Sequence, residues 1–155
     1  MTFQILALDP APFVPLFGLA DADLAARGVV RHTADTSPGF PCRVSMSDAA
    51  VGETLLLLNF EHLAVASPYR AAHAIYVREG AVQAQLCSGE VPPMIARRLL
   101  SVRAFDGEGM MTNADVVEGS ELAPLLDGWF ADPTVAHIDV HNARQGCFAA
   151  RVVRA

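Results

Sequence analysis

The chain has 155 residues, with 17 acidic and 11 basic side chains and a formal net charge of −6. Every basic side chain is an arginine, which excludes chemistry that needs a lysine from the chain, such as a Walker phosphate loop or a Schiff base. The acidic balance argues against nucleic acid and membrane surfaces as partners. The length is typical of one domain, so we expect residues 1–155 to form a single domain.

The first half of the chain predicts mostly short strands. We expect a strand over residues 3–9, a helix over 21–27 that ends at Gly28, a strand over 29–33 and a rigid proline-containing loop over 35–41. The leucine-rich residues 53–60 fit a buried strand or a short helix, and their pattern does not decide between the two. A loop over residues 61–70 follows.

The second half predicts two hairpins and two helices. Residues 72–79 and 82–87 form the first predicted hairpin, and residues 135–141 and 147–153 form the last. Between them we expect a helix that begins at Pro92-Pro93, a strand over 101–105 and a helix from Ser120 to residue 130. Strands outnumber helices, and the predicted fold class is therefore α+β, with a mostly antiparallel sheet and two or three short helices. A partly closed barrel is one variant of this prediction.

No segment suggests export or a membrane span. The amino terminus lacks a basic region, and the longest strongly apolar run covers only residues 55–58. Three cysteines without close spacing favour reduced thiols in a cytoplasm, although a bridge between Cys42 and Cys147 stays open.

The segment His137-Ile138-Asp139-Val140-His141 has the clearest chemical pattern. In a strand, His137, Asp139 and His141 share one face and offer nitrogen and oxygen ligands to a divalent metal. His137 and His141 would lie about 13 Å apart at ~3.3 Å per residue, so they cannot hold one ion without a bend. A polar strand face without a ligand is the alternative interpretation.

Two further segments combine rigid loops with reactive side chains. Two prolines restrict the segment Pro38-Gly39-Phe40-Pro41-Cys42-Arg43, where Arg43 would favour the Cys42 thiolate and could bind an anion. Ser67, Tyr69 and Arg70 offer hydrogen-bond donors to an anionic ligand, and His73 could act as a general acid or base. A buried structural cysteine and an ordinary ordered turn are the alternatives.

Arg103 stands in a predicted strand, where a buried arginine needs either a carboxylate of the protein or an anionic ligand. Asn142 and Gly146 suit the turn of the last hairpin, and within that turn Arg144 could contact an anion beside Cys147. The sequence contains none of the stronger motifs, such as G-x-S-x-G, C-x-x-C, H-E-x-x-H or G-x-G-x-x-G.

Four motifs together resemble a bacterial family known as domain of unknown function 1203. They are Pro38-Gly39-Phe40-Pro41-Cys42-Arg43, Ser67-Pro68-Tyr69-Arg70-x-x-His73-Ala74-Ile75, Arg103-Ala104-Phe105 and His141-Asn142-Ala143-Arg144-x-Gly146-Cys147. The resemblance covers essentially the whole chain and implies a stand-alone bacterial domain of this length. It supplies no reaction, cofactor or catalytic residue.

Three functions remain open, and the sequence does not decide whether the protein is an enzyme or which cofactor it uses. The first is a pocket for a small carboxylate or phosphate ligand, with cysteine- or histidine-based transferase or hydrolase chemistry. Its candidate catalytic residues are Cys42, His73, His141 and Cys147, and its candidate ligand-binding residues are Arg43, Ser67, Tyr69, Arg70, Arg103, Asn142 and Arg144. The second is a metal-binding, hydrolase-like domain that uses His62, His73, His137, Asp139 and His141. The third is a non-catalytic module that forms a homodimer or binds another partner.

Overall fold

A computed structural model describes residues 3–155 as an α+β protein in which a few short helices accompany two five-stranded sheets. The predicted fold class is confirmed, and neither sheet closes into a barrel within these residues. Contacts within the chain divide it into two compact units. The first unit contains residues 3–6, 61–73 and 86–155, and the second contains residues 7–60 and 74–85. The prediction of a single domain stays a prediction.

The described residues form ten strands and three α-helices. In chain order, the strands are β1 (Phe3–Leu6), β2 (Val30–Thr33), β3 (Pro41–Cys42), β4 (Ser47–Asp48), β5 (Thr54–Leu63), β6 (Ala71–Arg78), β7 (Leu99–Phe105), β8 (Met111–Glu118), β9 (His137–Asn142) and β10 (Phe148–Arg154). The helices are α1 (Asp21–Ala25), α2 (Pro93–Ala96) and α3 (Leu122–Trp129), with 3₁₀ turns at Val14–Leu16 and Gly119–Glu121. None of these helices is long and apolar enough to cross a membrane.

The sheet of the first unit has the strand order β1-β10-β9-β7-β8, and all of its pairings are antiparallel. Side chains alternate along its strands, so one face carries an apolar set from β7, β9 and β10 that includes Leu100, Val102, Ile138, Val140 and Val152. These side chains are fully buried and form the main core of the unit. The opposite face of the same strands is therefore free to carry polar side chains.

The second unit contains a sheet of order β2-β5-β6-β3-β4, in which β5 and β6 continue into residues 61–63 and 71–73 of the first unit. The pairing of β3 with β6 is parallel, whereas β2 pairs with β5 and β3 with β4 in antiparallel orientation. Ala34, Ala49 and Leu55 form a small buried cluster against the rings of Phe40 and Tyr76.

The structure corrects two predictions about strands. Residues 82–87 do not form the second strand of a hairpin, because their polar groups bond elsewhere: the Ala84 N–H donates to the Val44 carbonyl, and Gln83 Nε2 donates to the Ala7 carbonyl. The leucine-rich segment that fitted either element is a strand, and it continues to Leu63 rather than ending before a loop at residue 61.

Two further differences concern helix ends and an edge strand. Ser120 was predicted to cap a helix, but it lies inside the 3₁₀ turn that leads into α3. The helix α3 has no side-chain cap. The strand β8 was not predicted, since it pairs only with β7 and most of its side chains on both faces are exposed. An edge strand of this kind lacks the apolar alternation by which strands are recognised in a sequence.

Candidate metal centre

Three histidines from distant parts of the chain come together in the first unit. His62 lies near the end of β5, His73 near the start of β6, and His141 in β9. Their ring centroids are 4.9 to 5.1 Å apart, and one ring nitrogen of each lies within 4.8 Å of those of the other two. His62 and His141 are buried, and His73 is half-buried. We call these three side chains the histidine cluster.

Strand geometry explains how His141 reaches this position. Because side chains alternate along β9, Asp139 and His141 lie on the same face of the sheet. The register places His141 opposite Ser101 of β7 and opposite Phe148 of β10. The Phe148 ring also stacks on His62, with centroids 4.9 Å apart and planes only 12° from parallel. The cluster is therefore held by a close-packed aromatic side chain.

In two cluster histidines, His62 and His141, the ring nitrogen Nδ1 forms a hydrogen bond. Nδ1 of His62 lies 3.1 Å from Oδ2 of Asp139, and Nδ1 of His141 lies 3.0 Å from the carbonyl oxygen of Gly146. A carboxylate and a carbonyl can only accept, so in both rings Nδ1 carries the proton and donates it. In a neutral imidazole, the other nitrogen, Nε2, then carries the lone pair.

One nitrogen of each ring in the histidine cluster has no hydrogen-bond partner within residues 3–155. Nε2 of His62, Nδ1 of His73 and Nε2 of His141 are buried, and none of them forms a hydrogen bond with the described residues. Buried polar atoms without a partner are uncommon in folded proteins, and each requires an explanation. Three imidazoles that lie this close together and have ring nitrogens without a partner match the ligand set of zinc and related ions.

Asp139 is fully buried and is neutralised by Arg151 of β10. Nε and one terminal nitrogen of Arg151 donate to the two carboxylate oxygens at 2.8 and 2.9 Å, and the same terminal nitrogen donates to the His62 carbonyl at 2.8 Å. Burial alone would raise the pKa of Asp139, but the hydrogen bonds from His62 and Arg151 and the charge of Arg151 outweigh it and lower that pKa. Asp139 thus stays ionised and orients His62.

Burial and a neighbouring cation lower the pKa of two cluster histidines, His73 and His141. Burial lowers the pKa of His141 to about 3, and the positive charge of Arg103 contributes to that change. Burial also lowers the pKa of His73, with further contributions from His62 and Arg103. Neutral imidazoles are the form that binds metal ions.

Arg103 lies in β7, half-buried, and its register partner in β9 is Asp139. Its Nε donates to the hydroxyl of Ser101 at 3.2 Å. Within residues 3–155 it forms no ion pair, because Asp139 is occupied by Arg151. Arg103 therefore places a positive charge near the histidine cluster without a carboxylate of its own.

His137 lies outside the cluster. Its ring stacks on Phe105, with centroids 5.2 Å apart, and its Nε2 is 3.9 Å from Oδ1 of Asp139. Of the five residues predicted as metal ligands, the structure thus brings three together as candidate ligands, with Asp139 behind His62 and His137 on the far side of Asp139. The separation of about 13 Å expected for His137 and His141 in a strand is consistent with this arrangement.

The family comparison covers this site. A family model for proteins of unknown function, DUF1203, matches residues 39–154. The chain belongs to the DUF1203 family. The matched region contains the histidine cluster, and the resemblance found in the sequence is confirmed. No curated protein and no solved structure matches the chain.

Two loops of the DUF1203 chain place other predicted site residues in ordinary structural contacts. The Ser67 hydroxyl donates to the Gly109 carbonyl at 2.9 Å and accepts a hydrogen bond from the Tyr69 N–H at 3.1 Å. Arg70 is exposed and pairs with Glu61 at 2.8 Å. The predicted ligand-binding roles of Ser67, Tyr69 and Arg70 stay predictions.

Near the last hairpin, the Asn142 amide donates to Cys147 Sγ at 3.5 Å. Asn142 and Arg144 line a surface cavity of about 270 Å³ together with Arg97 and Arg98. Three of the residues that line this cavity are arginines, and the ligand-binding roles predicted for Asn142 and Arg144 stay predictions.

Cys42 and Arg43 belong to the second unit. Cys42 is fully buried, and its Sγ accepts hydrogen bonds from the backbone N–H groups of Ser45 and Arg78 at 3.4 and 3.3 Å. Arg43 is also buried and donates to the Pro41 carbonyl at 2.6 Å. Within residues 3–155 none of the three cysteines forms a disulfide, and the nucleophilic role predicted for Cys42 and Cys147 stays a prediction.

Sequence reasoning missed three participants of the DUF1203 site: Arg151, Phe148 and the carbonyl of Gly146. A β-bulge between Phe148 and Ala150 shifts the register of β10, so that Arg151 comes to lie opposite Asp139. In a regular hairpin, Arg151 would not lie opposite Asp139. A shift of one residue reverses the face on which every later side chain lies, so the sequence does not indicate that Arg151 is the partner of Asp139.

Proposed function

We propose that this protein binds one divalent transition-metal ion of the zinc type through His62, His73 and His141. Two observations on these three histidines carry the proposal. One ring nitrogen of each lies within 4.8 Å of those of the other two, and each ring has a buried nitrogen without a hydrogen-bond partner within residues 3–155. Zinc–nitrogen bonds of about 2.0–2.1 Å place the nitrogens of a tetrahedral site roughly 3.4 Å apart. Small side-chain rotations would bring nitrogens that lie within 4.8 Å to that spacing.

The contacts behind the ligands support the same proposal. Metal-binding histidines usually donate their second ring N–H to a carboxylate or a backbone carbonyl, which fixes the tautomer and the ring orientation. Asp139 accepts such a bond from His62, and the Gly146 carbonyl accepts one from His141. Two of the three proposed ligands, His62 and His141, are thus oriented by such a bond.

Three protein ligands leave one position of a tetrahedral ion for water or substrate, as in catalytic rather than structural zinc sites. A bound zinc ion lowers the pKa of such a water to about 7 and so supplies hydroxide at neutral pH. We therefore propose metal-dependent hydrolytic chemistry for the site. The absence of disulfides among the three cysteines of the described residues supports a reducing compartment, such as a bacterial cytoplasm, as its location.

Metal analysis tests the centre directly. The full chain, purified without a metal-affinity tag or chelator and then reconstituted with Zn²⁺, is expected to retain one ion per chain by elemental mass spectrometry. His62→Gln, His73→Gln and His141→Gln should each lose stoichiometric zinc. A wild-type chain that holds no stoichiometric ion after reconstitution would overturn the proposal.

The two remaining histidines provide matched controls. His32→Gln changes a residue of the second unit that packs edge-on against Tyr76, and His137→Gln changes one on the same strand face as His141. Both variants should retain zinc, and the circular dichroism of all five variants should match that of the wild type. Zinc loss from His137→Gln equal to that from His141→Gln would contradict the proposed ligand set.

Activity is tested separately from binding. The zinc-loaded chain is expected to hydrolyse an activated ester, such as p-nitrophenyl acetate, faster than the chelated chain and faster than His141→Gln. Equal rates for the three samples would leave a metal centre without the proposed hydrolytic chemistry.

A further inference from the structure

The charges around the histidine cluster do not balance. Asp139 is the buried carboxylate of the site, and Arg151 already neutralises it through two hydrogen bonds. Arg103 has no ion-pair partner within residues 3–155, so its positive charge is uncompensated, and a divalent ion would add to that excess. A half-buried site with this excess favours a negatively charged ligand.

The side-chain hydrogen bond of Arg103 uses Nε and not its two terminal amino groups. Nε is held by the Ser101 hydroxyl, and within residues 3–155 the structure records no hydrogen bond from the two terminal amino groups. A guanidinium presents its terminal N–H groups in a planar fork that matches the oxygens of a carboxylate or a phosphate. Ser101 thereby anchors the side chain while the fork stays free.

The strand register indicates how the guanidinium of Arg103 is placed relative to the proposed metal ligands. Ser101, which holds Nε, is the register partner of His141, and Arg103 is the register partner of Asp139. Register partners lie on the same face of a sheet, so Arg103 and Ser101 share the face that carries Asp139 and His141. An oxyanion at the open metal position would therefore lie close to both the ion and the guanidinium.

We propose that Arg103 binds the oxyanion group, a carboxylate or a phosphate, of a ligand that occupies the open position of the three-histidine centre. This inference rests on the proposed metal centre and adds the chemical class of its substrate. It assigns Arg103 a specificity-determining role: the residue selects anionic ligands over neutral ones, and it is not a metal ligand.

The test uses the full chain loaded with Co²⁺, whose visible spectrum changes when a ligand enters the metal's coordination shell. Inorganic phosphate and acetate serve as the anionic probes, and imidazole serves as a neutral probe. In Arg103→Gln, we expect phosphate and acetate affinity to fall about ten- to a hundredfold, the range for a lost charge-assisted hydrogen bond. Imidazole affinity and Co²⁺ stoichiometry should stay unchanged.

Two further variants make the outcome decisive. Arg103→Lys keeps the charge without the planar fork and should retain part of the phosphate affinity. Arg27→Gln removes an exposed arginine of the second unit and should leave phosphate affinity at the metal unchanged.

Several results would overturn the inference. One is unchanged phosphate affinity in Arg103→Gln. Another is an equal loss of imidazole affinity in that variant, which would indicate a merely structural role. The third is an equal loss of phosphate affinity in Arg27→Gln. Failure of the wild-type chain to bind Co²⁺ would instead overturn the metal centre, and this inference with it. Because Co²⁺ binding is measured before any anion is added, the two failures are distinguishable.

Discussion

Nδ1 of His62 lies 3.1 Å from Oδ2 of Asp139, although 77 positions separate the two residues in the chain. Both side chains are almost completely buried, so water does not compete for the bond. The contact decides which nitrogen of His62 carries the proton and which one faces His73 and His141. A single buried carboxylate thus prepares a ligand nitrogen without being a ligand itself.

Replacement of this carboxylate should weaken metal binding. In Asp139→Asn the amide accepts a weaker hydrogen bond from His62, and the ring is less firmly oriented and less basic. We expect the affinity for Zn²⁺ to fall about 10–100-fold, the usual effect of removing such a partner. Competition with a chromophoric chelator measures the affinity.

The control for this variant is Asp23→Asn, which removes an exposed carboxylate of α1 in the second unit. Its zinc affinity should equal that of the wild type. If Asp139→Asn also bound zinc with wild-type affinity, the proposed orientation of His62 would be wrong.

Arg151→Gln should destabilise the fold, because it leaves the carboxylate of Asp139 buried without a counter-charge. Removing one partner of a buried ion pair costs about 3–5 kcal/mol, and we expect roughly 2–3 kcal/mol here since the Arg151 side chain is partly exposed. Urea denaturation of the metal-free protein measures the free energy of unfolding. Arg144→Gln, which changes an exposed arginine of the same unit, should stay within about 0.5 kcal/mol of the wild type.

A double variant separates the ion pair from general damage. Asp139→Asn combined with Arg151→Gln removes both charges, so it should cost clearly less than the sum of the two single substitutions. Additive losses would show that the two side chains do not stabilise each other in the way their hydrogen bonds indicate.

The sequence predicted the local part of the site but not its assembly. The alternation of His137, Asp139 and His141 on one strand face is a local property, and the structure has it. The meeting of His62, His73 and His141 depends on how β5, β6 and β9 come together, and no short segment of sequence carries that information. Spacing along one strand suggested His137 as an alternative ligand, and only the packing of distant segments shows that its ring lies outside the histidine cluster.

The limits of the fold prediction have similar physical causes. Strands with one buried face, such as β6 and β7, were recognised because their alternation reflects burial. The exposed edge strand β8 shows no such pattern, and the bulge in β10 that positions Arg151 is a backbone irregularity without a marked residue type. Local patterns therefore predicted most of the longer strands, including the edge strands β1 and β2, but indicated neither β8 nor the bulge in β10.

Two glycines should respond in opposite directions to the same substitution. A Cβ at Gly119 would lie 2.2 Å from the Ile95 carbonyl oxygen and 2.6 Å from that of Ala96, so Gly119→Ala must displace backbone and should cost about 1–3 kcal/mol. A Cβ at Gly128 in α3 meets nothing within 4 Å, and Gly128→Ala should stabilise by about 0.5–1 kcal/mol. Thermal or urea unfolding of both variants checks the pair, and equal effects would contradict the packing of Gly119 on α2.

The three thiols should differ in their accessibility to reagents. Cys87 is exposed, Cys147 is partly buried and Cys42 is fully buried. Alkylation by iodoacetamide, followed by peptide mass spectrometry, should therefore label Cys87 first and Cys147 second, with Cys42 labelled only after denaturation, because the thiolate must reach solvent to attack the reagent. The denatured chain is the control, in which all three should react at similar rates. Labelling of Cys42 in the native protein as fast as that of Cys87 would contradict its burial and favour the reactive thiol predicted from the Pro41-Cys42-Arg43 segment.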